Sequence, residues 1–201
     1  MRPTNTDTIS VILAGGYSRR MGRDKGLIEI GEYSNFLKKT VRRIGILTEK
    51  VYVSLRVEQI SEYSKYLPSE SLIVDADIPV KGPLKGILSS WKFLEGKGFS
   101  EKSILFLPVD MPFVRIRTLK RLLDSFLFED SGVFYRSKTG IEPICGIYSS
   151  HCLSDWFRSF ETDAGGEFSL QKRLAKMTPK ILTLPSEEEV YFRNINTGLD
   201  L

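Results

Sequence analysis

Ile9-Ser10-Val11-Ile12-Leu13-Ala14-Gly15-Gly16 is the stretch on which the fold depends. A short, nearly unbroken apolar run ends at two glycines. Its lack of polar alternation describes a strand buried on both faces, as in a parallel sheet. Downstream, Phe36, Leu37, Val41, Ile44 and Leu47 recur at helical spacing, with Lys38, Lys39, Arg42 and Arg43 between them. That pattern predicts an amphipathic helix with a solvated basic outer face. Leu27, Ile28 and Ile30 predict a short strand or a covered segment. Val51–Leu55 reads as a strand, 58–65 as a short polar helix, and Leu72–Val74 as a third strand ending at Asp75.

Pro83–Phe93 reads as a helix with proline in its first turn and Leu84, Ile87, Leu88 and Trp91 on one apolar face. Ser103–Leu107 is another buried strand, followed by Pro108-Val109-Asp110-Met111-Pro112 and a helix over 117–128. Strands near 132–136 and 144–149, helices near 152–160 and 168–176, and late strands at 181–184 and 192–195 complete the pass. Strand and helix in alternation predict an α/β fold: three layers, a mostly parallel central sheet, helices on both faces. Ligands of such sheets sit outside the carboxyl ends of the strands. Residues 15–25, Ser54, residues 75–86 and Asp110 are therefore the candidates for chemistry.

Composition narrows the field. The chain has 201 residues, 41% hydrophobic and 27% charged, with a formal charge of +4. This suits an anionic small ligand and is too weak for a nucleic-acid binder. No apolar run approaches the roughly 20 residues that span a bilayer, and residues 9–14 are too short for a secretory signal core. Cys145 and Cys152 form no CxxC pair, and His151 is the one histidine, so neither a zinc cage nor a Ser-His-Asp triad is expected. Reduced thiols in a cytoplasmic protein are the default for such cysteines.

The first loop reads Leu13-Ala14-Gly15-Gly16-Tyr17-Ser18-Arg19-Arg20-Met21-Gly22-Arg23-Asp24-Lys25-Gly26. Its glycines let bare N–H groups approach an anion, and Arg19, Arg20, Arg23 and Lys25 add fixed positive charge. The spacing is neither GxxxxGK[ST] nor GxGxxG. On spacing alone, a plain turn with a solvated basic cluster competes with a phosphate cradle.

The same segment resembles the signature loop LAGGxSxRMGxDK of the molybdenum cofactor guanylyltransferases, the molybdopterin-guanine dinucleotide biosynthesis protein A family. Gly82-Pro83-Leu84-Lys85-Gly86 resembles that family's GPLxG segment, and Leu107–Phe113 resembles its metal-aspartate segment. The stretch from Glu142 to Tyr148 resembles the segment before the acceptor side, and Asn194-Ile195-Asn196-Thr197 with Asp200-Leu201 resembles its C-terminal ending. Departures are Val109 for the usual cysteine, Ser54 for a frequent asparagine, and Gly198 for the usual proline, which leaves that last turn less stiff.

The resemblance implies one Rossmann-like nucleotidyltransferase domain over residues 1–201. It implies transfer of GMP from GTP to the terminal phosphate of molybdopterin, with release of pyrophosphate and formation of the guanine dinucleotide cofactor. Mg²⁺ is the implied cofactor, and GTP, molybdopterin and cofactor-carrier or acceptor proteins are the implied partners, with no role for nucleic acid or membrane. Lys25, Arg20 and Asp110 would be catalytic, with Asp110 holding the metal. Its alternative is an N-cap for the next helix. Leu13, Ala14, Gly15, Gly16, Lys25, Asp75, Gly82, Gly86, Asp110, Asn194 and Asn196 would bind nucleotide, metal or acceptor.

Alternatives stay open residue by residue. Asp75 matches the family's nucleotide-binding aspartate, serving base or ribose, with Asp77 as its competitor. Arg19 and Arg23 fill variable positions, where solvated charge is an equal reading. Asn194 and Asn196 fit either the site or local backbone bonding, and Gly82 either approaches a purine or only ends a turn. Trp91 reads as core. The cytidylyltransferase branch of the same group usually carries LAAG and lacks GPLxG, and sugar-phosphate guanylyltransferases carry GGxGTR. A non-catalytic carrier of nucleotide or cofactor is the rival of a different class.

Overall fold

A computed structural model of the chain describes residues 7–17, 23–32, 34–162 and 169–196. Seven strands form one sheet: β1 (Thr8–Leu13), β2 (Val51–Leu55), β3 (Leu72–Val74), β4 (Ser103–Pro108), β5 (Gly132–Ser137), β6 (Gly140–Tyr148) and β7 (Lys180–Thr183). Their order is β3-β2-β1-β4-β6-β5-β7. The pairings β1–β2, β1–β4, β2–β3 and β5–β7 are parallel, and β6 runs antiparallel to both β4 and β5. The expected mostly parallel sheet is present, with one reversed strand inside it.

The strand at residues 9–14 is central, and both of its faces are covered as its composition requires. Ile9 and Val11 join an apolar layer with Ile73, Ile104 and Phe106, while Ile12 joins the opposite layer with Val53 and Leu105. Ser10 is buried among them, and its hydroxyl meets that of Thr48 at 2.7 Å, so this fully buried polar group stays satisfied.

Helices α1 (Phe36–Ile44), α2 (Ile60–Tyr63) and α4 (Ile116–Ser125) cover one face, and α3 (Pro83–Gly96), α5 (Ser150–Thr162) and α6 (Leu170–Ala175) cover the other. Asn35 caps α1 by accepting from the Lys38 N–H at 2.8 Å. Pro83 opens α3, and Leu84, Ile87, Leu88, Trp91 and Leu94 are buried along its length. Each contributes about 1.5–3 kcal/mol of burial. Trp91 is core, as expected.

Several local expectations change. Residues 25–27 form a 3₁₀ turn and Glu29 makes an isolated bridge to Asn35, so of the two readings of 27–30 the covered segment, around buried Ile28, is the one present. Residues 192–195 form no strand. Phe192 and Ile195 are buried anchors of an irregular strap, and their spacing of three does not follow the two-residue period of a strand. The basic face of α1 is only half solvated. Lys39 lies over the Phe113 ring, and the Arg43 guanidinium donates to the carbonyls of Pro112 and Val114 at 2.7 and 2.8 Å.

Candidate active site

The carboxyl ends of β1, β2, β3 and β4 open onto a cavity of about 870 Å³. That lies within the range of small-molecule pockets. Leu13, Ala14, Gly15 and Gly16 line it from the end of β1, Asp75, Gly82 and Gly86 from the segment after β3, and Asp110 from the end of β4. Lys25 and Asn196 also line it.

Lys25 is the bridge between these pieces. Its ammonium donates to Asp110 Oδ2 at 2.7 Å and to Asn196 Oδ1 at 2.8 Å. Lys25 and Asp110 each retain 17% side-chain exposure, so the pair faces the cavity while its stems are covered. Two backbone bonds knit the same corner: Val109 N–H to Leu13 O at 3.0 Å and Ile195 N–H to Asp110 O at 2.8 Å. Asp110 does not cap the next helix, whose N-cap is Arg115. Its Oδ1 is buried without a hydrogen-bond partner among the described residues.

On the opposite wall, Asp75 accepts from the Ser54 hydroxyl at 3.3 Å. Burial pushes its carboxyl above the usual aspartate range, while the Ser54 bond and the charges of Lys85 and Arg56 pull the other way. A Cβ on Gly86 would lie 3.0 Å from Ser54 Oγ and 3.2 Å from Leu13 Cδ2, so the absence of a side chain keeps this wall open. Gly82 has a φ of 66°, a conformation that favours glycine, and caps α3. Asp77 is exposed and does not line the cavity, which ranks Asp75 above it.

Asn194 is likewise exposed and outside the lining, so of the two asparagines Asn196 is the one brought to the site. Both flank buried Ile195 and are exposed, and what distinguishes Asn196 is that its Oδ1 accepts from the Lys25 ammonium. Arg19, Arg20, Met21 and Gly22, as well as Thr197, Gly198, Asp200 and Leu201, lie outside the described residues.

Sequence reasoning missed Arg56 and Gln59. The Arg56 guanidinium donates to Gly15 O at 2.6 Å and Gly16 O at 2.8 Å and lies 4.4 Å over the Tyr17 ring. Neither the Gly15 nor the Gly16 N–H has an acceptor among the described residues. Because a trans peptide sets its C=O and the following N–H in opposite directions, Arg56 turns the Gly16 and Tyr17 N–H groups away from itself. Arg56 directly follows the end of β2, so the strand-end rule applied to β2 would have found it. Lys81 and Lys85 add further positive charge to the lining.

A glycine turn with bare N–H groups, a lysine and a strand-end carboxylate at the rim of a parallel sheet is the build of an α/β nucleotide-handling protein. The sequence profile of the MobA-like NTP transferase domain matches residues 10–177. The chain belongs to this family and is a nucleotidyltransferase. A probable molybdenum cofactor guanylyltransferase of Rhodopirellula baltica is 28% identical over 96% of this chain and 89% of its own length. One of Flavobacterium johnsoniae is 30% identical over 94% and 92%. Among solved structures, molybdopterin-guanine dinucleotide biosynthesis protein A from Archaeoglobus fulgidus superposes with a TM-score of 0.71 at 20% identity, covering 95% of this chain and 93% of that one. This last likeness is one of fold. Among the described residues no helix is long and apolar enough to cross a membrane.

Proposed function

We propose that this chain transfers GMP from GTP to the terminal phosphate of molybdopterin, releasing pyrophosphate, and that residues 1–201 act as one domain in doing so. The names of its relatives support the substrates. The observation that carries the chemistry is the meeting of Lys25 and Asp110 across the glycine turn on the wall of one cavity.

The reaction brings two anions together, so neutralisation and alignment are the main tasks. A phosphate nucleophile is already ionised near neutral pH, so the site needs no strong base. Lys25 supplies a cation to the triphosphate, and the N–H groups of Gly15 and Gly16 supply donors. The Leu13, Ala14, Gly82 and Gly86 backbone lies against the nucleoside. Asp75 accepts from the donor edge of guanine or from ribose hydroxyls. Arg20 is a second phosphate-binding cation by its place in the motif. Asn196 orients Lys25 and the acceptor phosphate, and Asn194 is withdrawn to the strap surface.

Asp110 fits a divalent ion. Its Oδ1 is buried and lacks a hydrogen-bond donor among the described residues. Magnesium takes one or two carboxylates and fills its remaining positions with phosphate oxygens and water. No cluster of three or more His, Cys, Asp or Glu exists among the described residues, which suits an ion brought in with its nucleotide. When bound, the ion neutralises charge on the phosphate oxygens. We place the reaction in the cytoplasm, where buried thiols such as Cys145 and Cys152 stay reduced. Carrier or acceptor proteins for the cofactor complete the set of proposed partners.

The test is pyrophosphate release from GTP, Mg²⁺ and molybdopterin, with CTP in parallel. Release that needs GTP and all three components is expected. A preference for CTP would move the chain to the cytidylyltransferase branch, and tight GTP binding with no turnover would make it a carrier.

A further inference from the structure

We infer that Gln59 is a positioning residue that clips the two ends of the glycine loop together and so holds the nucleotide cradle ready before any nucleotide arrives. The inference rests on the proposed use of that loop for GTP. Gln59 closes the 3₁₀ turn Val57–Gln59 after β2 and is 5% exposed. Its Nε2 donates to Ala14 O at 3.1 Å, where the loop begins. The same Nε2 donates to Asp24 Oδ2, where the loop ends, next to Lys25. Its Oε1 accepts from the Arg56 N–H at 2.8 Å.

This arrangement leaves no ambiguity in the amide. The nitrogen faces a carbonyl and a carboxylate, which can only accept, and the oxygen faces an N–H, which can only donate. Its hydrogen bonds go to two backbone groups and one loop carboxylate. Asp24 is held from other sides as well: its Oδ1 accepts from the Tyr63 hydroxyl at 2.8 Å and from the Gly26 N–H at 2.9 Å. Burial, and then the Asp24 charge, hold the Tyr63 hydroxyl protonated far above its ordinary range, so it stays a donor. A Cβ on Gly26 would fall 2.1 Å from that hydroxyl, so this approach is open only to glycine.

Closing a loop costs entropy that grows with its length. One buried amide that bonds both ends meets this cost in the folded protein before the ligand binds. Without it, the binding-competent loop is a fraction of the population, and apparent affinity falls by that fraction while the bound complex reacts as before. The signature is therefore a change in KM with kcat kept.

The test compares the full chain with Gln59→Glu and Gln59→Met. Gln59→Glu is nearly isosteric but turns an oxygen toward Ala14 O and the Asp24 carboxylate. Gln59→Met keeps bulk without any bond and serves if the first variant fails to fold. For GTP turnover, KM is expected to rise about tenfold with kcat within about threefold. Hydrogen exchange of the bonded Ala14 and Gly26 amides, one at each end, is expected to quicken together, and that of the bare Gly15 and Gly16 amides to slow under saturating GTP. Tyr63→Phe, which removes one of three donors to Asp24, should give a smaller rise in KM. A fall in kcat with KM unchanged reports loss of folded enzyme and overturns the inference, as does an unchanged KM. If the parent does not use GTP at all, the proposed reaction fails, and exchange alone decides the clip. Faster exchange at both ends then supports it, and faster exchange at one end or neither overturns it.

Discussion

The two halves of the sheet are built on different terms. In the half formed by β3, β2, β1 and β4, neighbouring strands all run the same way, and their carboxyl ends make nearly the whole cavity wall. Polar bonds accumulate there: Lys25 with Asp110 and Asn196, Ser54 with Asp75, Arg56 with the glycine carbonyls. In the half formed by β6, β5 and β7, the reversed β6 withdraws its carboxyl end from that rim, and only Ile144 of this half's strands lines the cavity. Its interior is aromatic. Tyr148 meets Phe134, Trp156 and, across the boundary on β4, Phe106 edge to face, with centroids 4.8–5.6 Å apart. The first half supplies the cavity; β5 and β7 run the same way as β1 and β4, but the reversed β6 stands between them and that rim.

Substitutions should respect this division. The largest effect is expected from Asp110→Ala, which should lower pyrophosphate release roughly 10³-fold with little change in Tm. A parent-like rate would break the division at its strongest point. Next, Phe134→Leu in the aromatic half should cost about 1–2 kcal/mol in denaturant unfolding and leave kcat per folded molecule unchanged. A drop in kcat at equal folded fraction would show that the halves are coupled.

Asp75→Asn sharpens the comparison through pH. Burial raises the Asp75 pKa in the folded state, so the folded chain holds that proton more tightly than the unfolded one does. The stabilisation from this proton is complete below the ordinary aspartate pKa of about 3.9. It is lost as pH rises through the raised folded value. At pH 7 the parent therefore bears the cost of the buried charge. Asp75→Asn should have the higher Tm at pH 7, the gap closing as pH falls to about 4, while its KM for GTP rises. An equal gap at both pH values would contradict the cause given. The smallest effect concerns Cys152, whose thiol burial pushes up to about 12. A thiol reagent at pH 8 should label neither Cys152 nor the fully buried Cys145 in native protein, and both after unfolding.

How much of this was legible in sequence follows the same line. Short apolar runs ending in glycine or aspartate gave β1, β3 and β4; the strand-end rule marked residues 15–25, residues 75–86 and Asp110, and the family resemblance singled out Lys25 and Asp75 within those ranges. The reversal of β6 was not legible, because apolar content reports burial and not strand direction. The strand expected at 192–195 failed because Phe192 and Ile195 anchor an irregular strap. Arg56 stands where the strand-end rule pointed, past β2, whereas Gln59 escaped notice because its partners are main-chain groups and a distant aspartate. Nothing in the residues 58–65, read as a polar helix, marks one glutamine as buried.

Helix α1 ties into both sides of the corner where Lys25 meets Asp110. Its first residue, Phe36, donates its N–H to Ile28 O at 3.1 Å, just past the turn that carries Lys25, and Arg43 near its other end grips the carbonyls of Pro112 and Val114, just past Asp110. The spacing between ammonium and carboxylate is thus set by a rigid strut outside the pair. In the proposed reaction an incoming anion would exchange one counter-charge for another while α1 keeps the scaffold in place, and reorganisation would be small.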